Sequence, residues 1–302
     1  MPGSWSDQFR IDYVSEQRPI ATGEMAPIHA LHWYEPTFCA AAPGEYPRGR
    51  IILFENGDWQ PFQTIRCWAW DALLPIDPGG TGGPVIDTDS VLPIPNFRTD
   101  LFCAGHCSLS DGALFIASGG FELATQPESI QPATRRNNLV SANVPEWNYP
   151  AIPPYLVKGR WYPTCTLDEL GEVYIFGGKQ AQAPGSSIAL TVERYRPYYT
   201  TVKINEPPPN TITELASGMN RDLGEYPFMY LIPTGGFFYA GPSKVTAFTN
   251  AARTAWTQLT TNNPHEENMH GTSVMYEPGR VLKIGGMMSS AANPALASNK
   301  IS

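Results

Sequence analysis

No run of about 18 consecutive apolar residues occurs, so no membrane-spanning helix is expected. The first residues, Met1-Pro2-Gly3-Ser4-Trp5-Ser6-Asp7, lack both a charged and an apolar region, so they do not read as a signal peptide. Basic charge is scarce: Lys+Arg number 20 against 28 Asp+Glu, a net charge of -8. Nucleic acid and anionic membranes select basic surfaces, so neither is an expected partner. The 5 cysteines (Cys39, Cys67, Cys103, Cys107 and Cys165) follow neither zinc-ligand spacing nor a disulfide-dense pattern, and their odd number leaves one unpaired in any disulfide scheme. No Asn-x-Ser/Thr glycosylation sequon is present.

Turn formers, in contrast, are abundant and spread along the whole chain: 27 Gly and 30 Pro. With 42% hydrophobic residues there is ample material for a core. This combination favours many short strands over long helices. Five segments repeat one pattern, an apolar run, a Gly-containing reversal and a second apolar run. They are Pro27 to Phe54 (with a Pro-rich insertion), Cys103 to Gly120, Tyr162 to Gly178, Tyr226 to Gly241 and His270 to Gly286. Their period of roughly 45 to 65 residues lies in the range of kelch-type propeller blades. Each reads as a β-hairpin, and closing Gly-Gly pairs such as Gly119-Gly120 and Gly177-Gly178 suit a place where the backbone must approach the central axis closely. A β-sandwich is the competing architecture; the recurrent strand-turn-strand-Gly-Gly unit favours the propeller. Thr191 to Pro197 followed by Tyr198 to Val202 is expected as an outer hairpin, and Ala255 to Leu259 as a further strand.

Two Pro/Gly-rich stretches read as connectors. Asp77-Pro78-Gly79-Gly80-Thr81-Gly82-Gly83-Pro84 lacks the Lys-Ser/Thr partner of a phosphate loop. Glu206-Pro207-Pro208-Pro209-Asn210 reads as a stiff surface linker.

Two of the repeats open with residues of chemical interest: Thr99-Asp100-Leu101-Phe102-Cys103-Ala104-Gly105-His106, and Arg160-Trp161-Tyr162-Pro163-Thr164. The chain here resembles the galactose oxidase and glyoxal oxidase family of copper radical oxidases, built on a seven-bladed kelch propeller. The first segment is similar to the one that holds the family's cross-linking cysteine, the second to the one that holds its radical tyrosine. Tyr226-Pro227-Phe228-Met229 and Gly271 to Leu282 resemble later blades, so the resemblance runs from about Pro27 to the C-terminus.

The resemblance implies an all-β kelch-type β-propeller, with about five of an expected seven blades in a single, incomplete domain over 1-302. It implies a thioether between Cys103 Sγ and the Tyr162 ring, with Tyr162 as a copper ligand and the pair as the radical cofactor. The implied reaction oxidises a small primary alcohol or aldehyde with O2, giving H2O2. A secreted or periplasmic setting is implied for the complete protein.

Departures from the family pattern are equally specific. No Tyr-His dipeptide supplies the axial tyrosine and a histidine, and Lys179-Gln180 follows Gly178 where the galactose-specific branch has a Trp. The chain closes on Asn299-Lys300-Ile301-Ser302, which reads as the middle of a strand, so a chain that ends early is expected. By itself it is expected not to hold copper tightly. Trp161, Cys107 and Cys165 read as packing, His29 and His32 as structural, and His106 as a turn or supporting histidine. His270 stands at a blade entrance, but the sequence after it matches a blade without ligands. The alternative function is a non-catalytic kelch propeller that binds a protein or glycan through its loops.

Overall fold

The computed structural model describes residues 104–110, 115–118, 156–180, 187–197, 207–259 and 271–285 in full, and elsewhere the backbone of the strands between 28 and 148. The protein is all-β; the described helical content is one 3-10 turn at Ser217–Met219. No described helix is long and apolar enough to cross a membrane.

Strands β1 (Ile28–Tyr34), β2 (Gly49–Glu55) and β3 (Cys67–Asp71) pair in sequence. The short β4 (Ile76–Asp77) and β5 (Val85–Ile86) form a separate hairpin before β6 (Val91–Ile94) joins β3. In sequence the Gly-rich stretch after Asp77 falls between the paired β4 and β5, the setting of a connector.

The second sheet is β7 (Gly105–Ser108), β8 (Leu114–Ala117), β9 (Thr134–Asn138) and β10 (Glu146–Asn148). The third is β11 (Thr164–Leu167), β12 (Val173–Phe176), β13 (Glu193–Arg196) and β14 (Thr211–Glu214). The fourth is β15 (Phe228–Leu231), β16 (Phe237–Gly241), β17 (Ala247–Thr249) and β18 (Trp256–Gln258). A last hairpin joins β19 (Thr272–Glu277) to β20 (Arg280–Ile284).

All five repeats therefore form the antiparallel hairpins that their sequences indicate. The outer partner of β13 differs from expectation. It is Thr211–Glu214, beyond the proline run, whereas Tyr198 to Val202 lies outside the described residues. The link is physical: the Arg196 guanidinium binds the Pro207 carbonyl, and Asn210 N–H donates to Arg196 O at 2.6 Å. The prolines deliver a strand to the sheet edge.

The first strands of successive sheets abut, β7 on β11, β11 on β15 and β15 on β19. Between the sheets lie two apolar clusters. One joins Phe115 and Ala117 of β8 to Val173 and Ile175 of β12. The other joins Tyr174 and Phe176 of β12 to Phe237 and Tyr239 of β16. Alternate side chains of a strand point to opposite faces, so β12 is covered on both. That explains why Val173-Tyr174-Ile175-Phe176 is apolar throughout, the pattern of a strand buried on both faces. Each such side chain contributes about 1.5–3 kcal/mol on burial. Ring packing adds shape: Phe115 stacks on Tyr195 at 4.6 Å, and Tyr174 meets Phe237 at 4.7 Å.

Candidate functional site

Tyr162 sits on the turn that enters β11, and a buried charge fixes that turn. Arg160 is fully buried, and its guanidinium donates to Glu193 Oε1 at 2.8 and 3.1 Å, to Gly177 O at 2.9 Å and to Thr191 O at 2.8 Å. The Arg160 N–H donates to Ser118 Oγ at 2.7 Å, and the other Glu193 oxygen accepts from the Val157 N–H at 2.6 Å. One buried ion pair thus ties the Tyr162 turn to the end of β12, to β13 and to the preceding sheet.

Next, Trp161 and Lys179 exchange backbone hydrogen bonds of 2.7 Å in both directions. Gly178 makes this approach possible. Its φ is +84°, and a Cβ there would lie 2.8 Å from Trp161 O and 3.0 Å from Pro163 N. Here the second glycine of the closing pair allows a close contact with the backbone of the Tyr162 turn. Trp161 is buried, as a packing residue should be.

Tyr162 itself has φ 62°, uncommon for a non-glycine residue and further disfavoured before a proline. Its surroundings impose it: the Tyr226 N–H donates to Tyr162 O at 2.7 Å, and the rings of Tyr162 and Tyr226 are 5.0 Å apart at 57°. On the other side, Trp161 lies 5.2 Å from the Tyr162 ring. Tyr226 also has positive φ, 43°.

Both tyrosines line a cavity of about 590 Å3. Phe228, Ile188 and Val245 give it apolar walls; Arg221, Asp222 and Glu225 bring charge to it. Each charged group is engaged. Arg221 donates to Gln258 at 3.2 Å, Asp222 accepts from the Gly224 N–H at 3.1 Å, and Glu225 pairs with Lys179 at 2.7 Å. Tyr239, also lining the cavity, donates to Leu223 O at 3.2 Å, and burial pushes its phenol up to about 12.

Of the two residues singled out by sequence, Tyr162 is placed and Cys103 lies outside the described residues. The start of β7, two residues beyond Cys103, packs on the Tyr162 turn: a Cβ on Gly105 would meet Pro163 O at 2.9 Å and Pro163 Cγ at 3.1 Å. His106 follows in β7, half-buried. No cluster of three or more His, Cys, Asp or Glu able to hold a metal ion occurs among the described residues. His270 lies outside them, although Gly271 after it lines the cavity. Of His29 and His32 the structure gives the backbone, on β1.

Sequence reasoning missed Tyr226 and the Arg160–Glu193 pair. A signal for Tyr226 was present: Tyr162-Pro163 and Tyr226-Pro227 are the same dipeptide at the entrance of consecutive repeats. For Glu193, at the start of β13 directly after Val192, nothing local names its partner 33 residues away.

The fold is similar to that of a fungal alcohol oxidase of the AA5 family solved in complex with copper, at 17% sequence identity and a TM-score of 0.53. The likeness covers 79% of this chain and 45% of that one, so this chain spans less than half of that enzyme's length. At this identity the shared property is the all-β fold. No protein-family model matches the chain, and no curated protein matches it in sequence.

Proposed function

We propose that this chain is part of a copper radical oxidase-like protein that oxidises a small primary alcohol or aldehyde with O2, with Cys103 and Tyr162 as its thioether pair. The observation that carries the reading is the seating of Gly105 on Pro163. It brings the start of β7, two residues along the sequence from Cys103, against the turn that presents Tyr162 to a cavity. About 590 Å3 is room for a small organic substrate. The fold likeness to a copper alcohol oxidase supports the same reading.

The sheets are read as blades of a kelch-type propeller in one domain, because consecutive first strands abut and β12 is covered by a sheet on each face. A secreted or periplasmic setting belongs to the same proposal.

A copper centre takes about three or four protein donors. The described residues contribute one assigned donor, the Tyr162 phenol, and no cluster of His, Cys, Asp or Glu. Those donors alone do not fit the metal. What the chain's own residues do is position: Arg160 and Gly178 fix the turn, and Trp161 and Tyr226 flank the ring. Closing the thioether forms a bond from Cys103 Sγ to the ring carbon beside the Tyr162 hydroxyl. Each partner loses one hydrogen, and O2 takes both with their electrons, giving H2O2. The short donor set favours a second reading, a non-catalytic propeller that binds a protein or glycan through its loops.

Peptide mass analysis after exposure to copper and O2 tests the proposal. The expected product is a Cys103–Tyr162 peptide pair, lighter by a hydrogen from each partner and resistant to reductant. An unmodified Tyr162 peptide after that treatment sinks it. Copper counted per chain then checks the expectation that this chain alone holds the metal weakly: near-stoichiometric binding would overturn that expectation and favour the oxidase over the binding module.

A further inference from the structure

We infer that Cys107 and Cys165 form an oxidisable pair that closes into a disulfide joining β7 to β11. Both are free thiols. Cys165 belongs to the buried cluster between the second and third sheets, and Cys107 packs against that same cluster. The strand geometry aims one at the other. A Cβ on Gly105 would lie 3.0 Å from Cys165 Sγ, and Cys107 is two residues along β7, on the same face as Gly105. Two residues of strand span about 6.6 Å, so Cys107 stands one step along the face that Cys165 Sγ touches, in the same apolar cluster, and closing the bond takes rotation of both side chains.

Access is asymmetric. Cys107 is half-buried and Cys165 buried, so an oxidant meets Cys107 first. With hydrogen peroxide, the Cys107 thiol becomes a sulfenic acid and one water leaves. The Cys165 thiol then attacks that sulfur, the S–S bond forms, and a second water carries off the hydroxyl with the Cys165 proton. Two thiols are oxidised by two electrons, and the peroxide is reduced. Burial pushes the Cys107 thiol up to about 12 and also raises Cys165, so thiolate is scarce near neutral pH and closure is slow.

This inference does not depend on the oxidase reading, yet both cross-links would join the same two tryptic peptides, Thr99–Arg135 and Trp161–Lys179. Reductant tells them apart, because it opens a disulfide and leaves a thioether. The test treats the folded protein with hydrogen peroxide in mildly alkaline buffer, alkylates remaining thiols in denaturant, and maps peptides with and without reductant. The expected result is a linked pair that reductant releases, with fragment spectra placing the bond at Cys107 and Cys165. The link persists in Cys103→Ala and disappears in Cys107→Ala and Cys165→Ala. Alkylated Cys107 and Cys165 after oxidation overturn the inference. So does a reducible link that vanishes in Cys103→Ala, or a Cys107 that stops at an oxygen adduct. Fragment spectra of the unsubstituted protein decide the matter even where a variant fails to fold.

Discussion

Arg160 and Glu193 form an ion pair at 2.8 Å with neither side chain exposed to solvent, and that pair holds the turn from which Tyr162 projects. Carbonyls, a hydroxyl and an N–H complete the hydrogen bonding around the pair. Removing one partner strands the other charge in the core. Glu193→Gln and Arg160→Met are each expected to cost about 3–5 kcal/mol of stability. Arg160→Lys should recover little, because an ammonium cannot reproduce the fork that reaches Glu193, Gly177 and Thr191 together. Urea unfolding of the three variants checks this; a loss below about 1 kcal/mol in Glu193→Gln, as for a surface pair, contradicts it.

Gly178→Ala and Gly224→Ala separate backbone strain from steric conflict. Both glycines have positive φ, 84° and 73°. A Cβ at 224 meets nothing within 4 Å, so the cost there is the left-handed backbone alone, about 1–2 kcal/mol. At 178 it would press on Trp161 O and Pro163 N. Gly178→Ala is therefore expected to be the more destabilising and to shift Tyr162 as well. Thermal unfolding measures the first effect, and the yield of the Cys103–Tyr162 cross-link measures the second. Equal losses in the two variants would speak against the close contact.

Arg253 latches the fourth sheet to the third. It donates to Asp168 at 2.9 Å, to the Tyr174 hydroxyl at 3.0 Å and to Gly235 O at 3.0 Å, pairs with Glu169, and lies 4.9 Å over the Tyr174 ring. Yet its own φ is 55°. Truncation loses the latch, but glycine relieves the backbone while alanine does not. Arg253→Gly should thus be the milder variant by about 1 kcal/mol, reversing the usual order for a surface turn. Paired denaturant curves show the order directly.

The repeats made most of this fold legible. A Gly reversal between two β-rich runs specifies a hairpin locally, and all five hairpins occur where the sequence puts them. The uninterrupted apolar run of β12 matches its cover on both faces. The candidate site was less legible because it is assembled from long-range pairs. Tyr226 and Tyr162 are neighbours only because consecutive repeats align their Tyr-Pro entrances. Arg160 finds Glu193 only after β12 and β13 have paired. The outer strand was misplaced for the same reason: the proline run looks like a linker until the Arg196 guanidinium is seen to bind Pro207 O.

Alkaline pH should destabilise this protein through acids that folding keeps protonated, Cys107 and Tyr239 among them. Folding raises the Cys107 thiol from its ordinary 9.0 to about 12 and the Tyr239 phenol from 10.0 to about 12, in both cases because burial penalises the anion. Below pH 9 both groups are protonated in the folded and unfolded chains, and the proton linkage is silent. Between 9 and 12 the unfolded chain releases those protons and the folded one keeps them, so stability falls as pH rises. Tyr239→Phe and Cys107→Ala should each flatten the decline, and the remainder belongs to Cys165, Tyr174 and Tyr230, which burial also raises. Unfolding midpoints across this range give the slopes; an unchanged slope in the double variant would refute the assignment.

Lys283 works in the opposite sense. It is 4% exposed, its Nζ has no hydrogen-bond partner among the described residues, and burial lowers its pKa from 10.5. Below the depressed pKa both states carry the proton, and the folded state bears the full desolvation penalty. Between that value and 10.5 the folded chain sheds the proton first, so stability rises with pH; above 10.5 both are neutral and the penalty is gone. Lys283→Met keeps the aliphatic stem and removes the charge. It is expected to stabilise the protein near neutral pH by about 1–3 kcal/mol, the scale of an unsatisfied buried polar group. The gain should shrink toward pH 10.5, where the native amine no longer carries a proton. A gain that stays constant with pH would assign the effect to packing rather than to the buried charge.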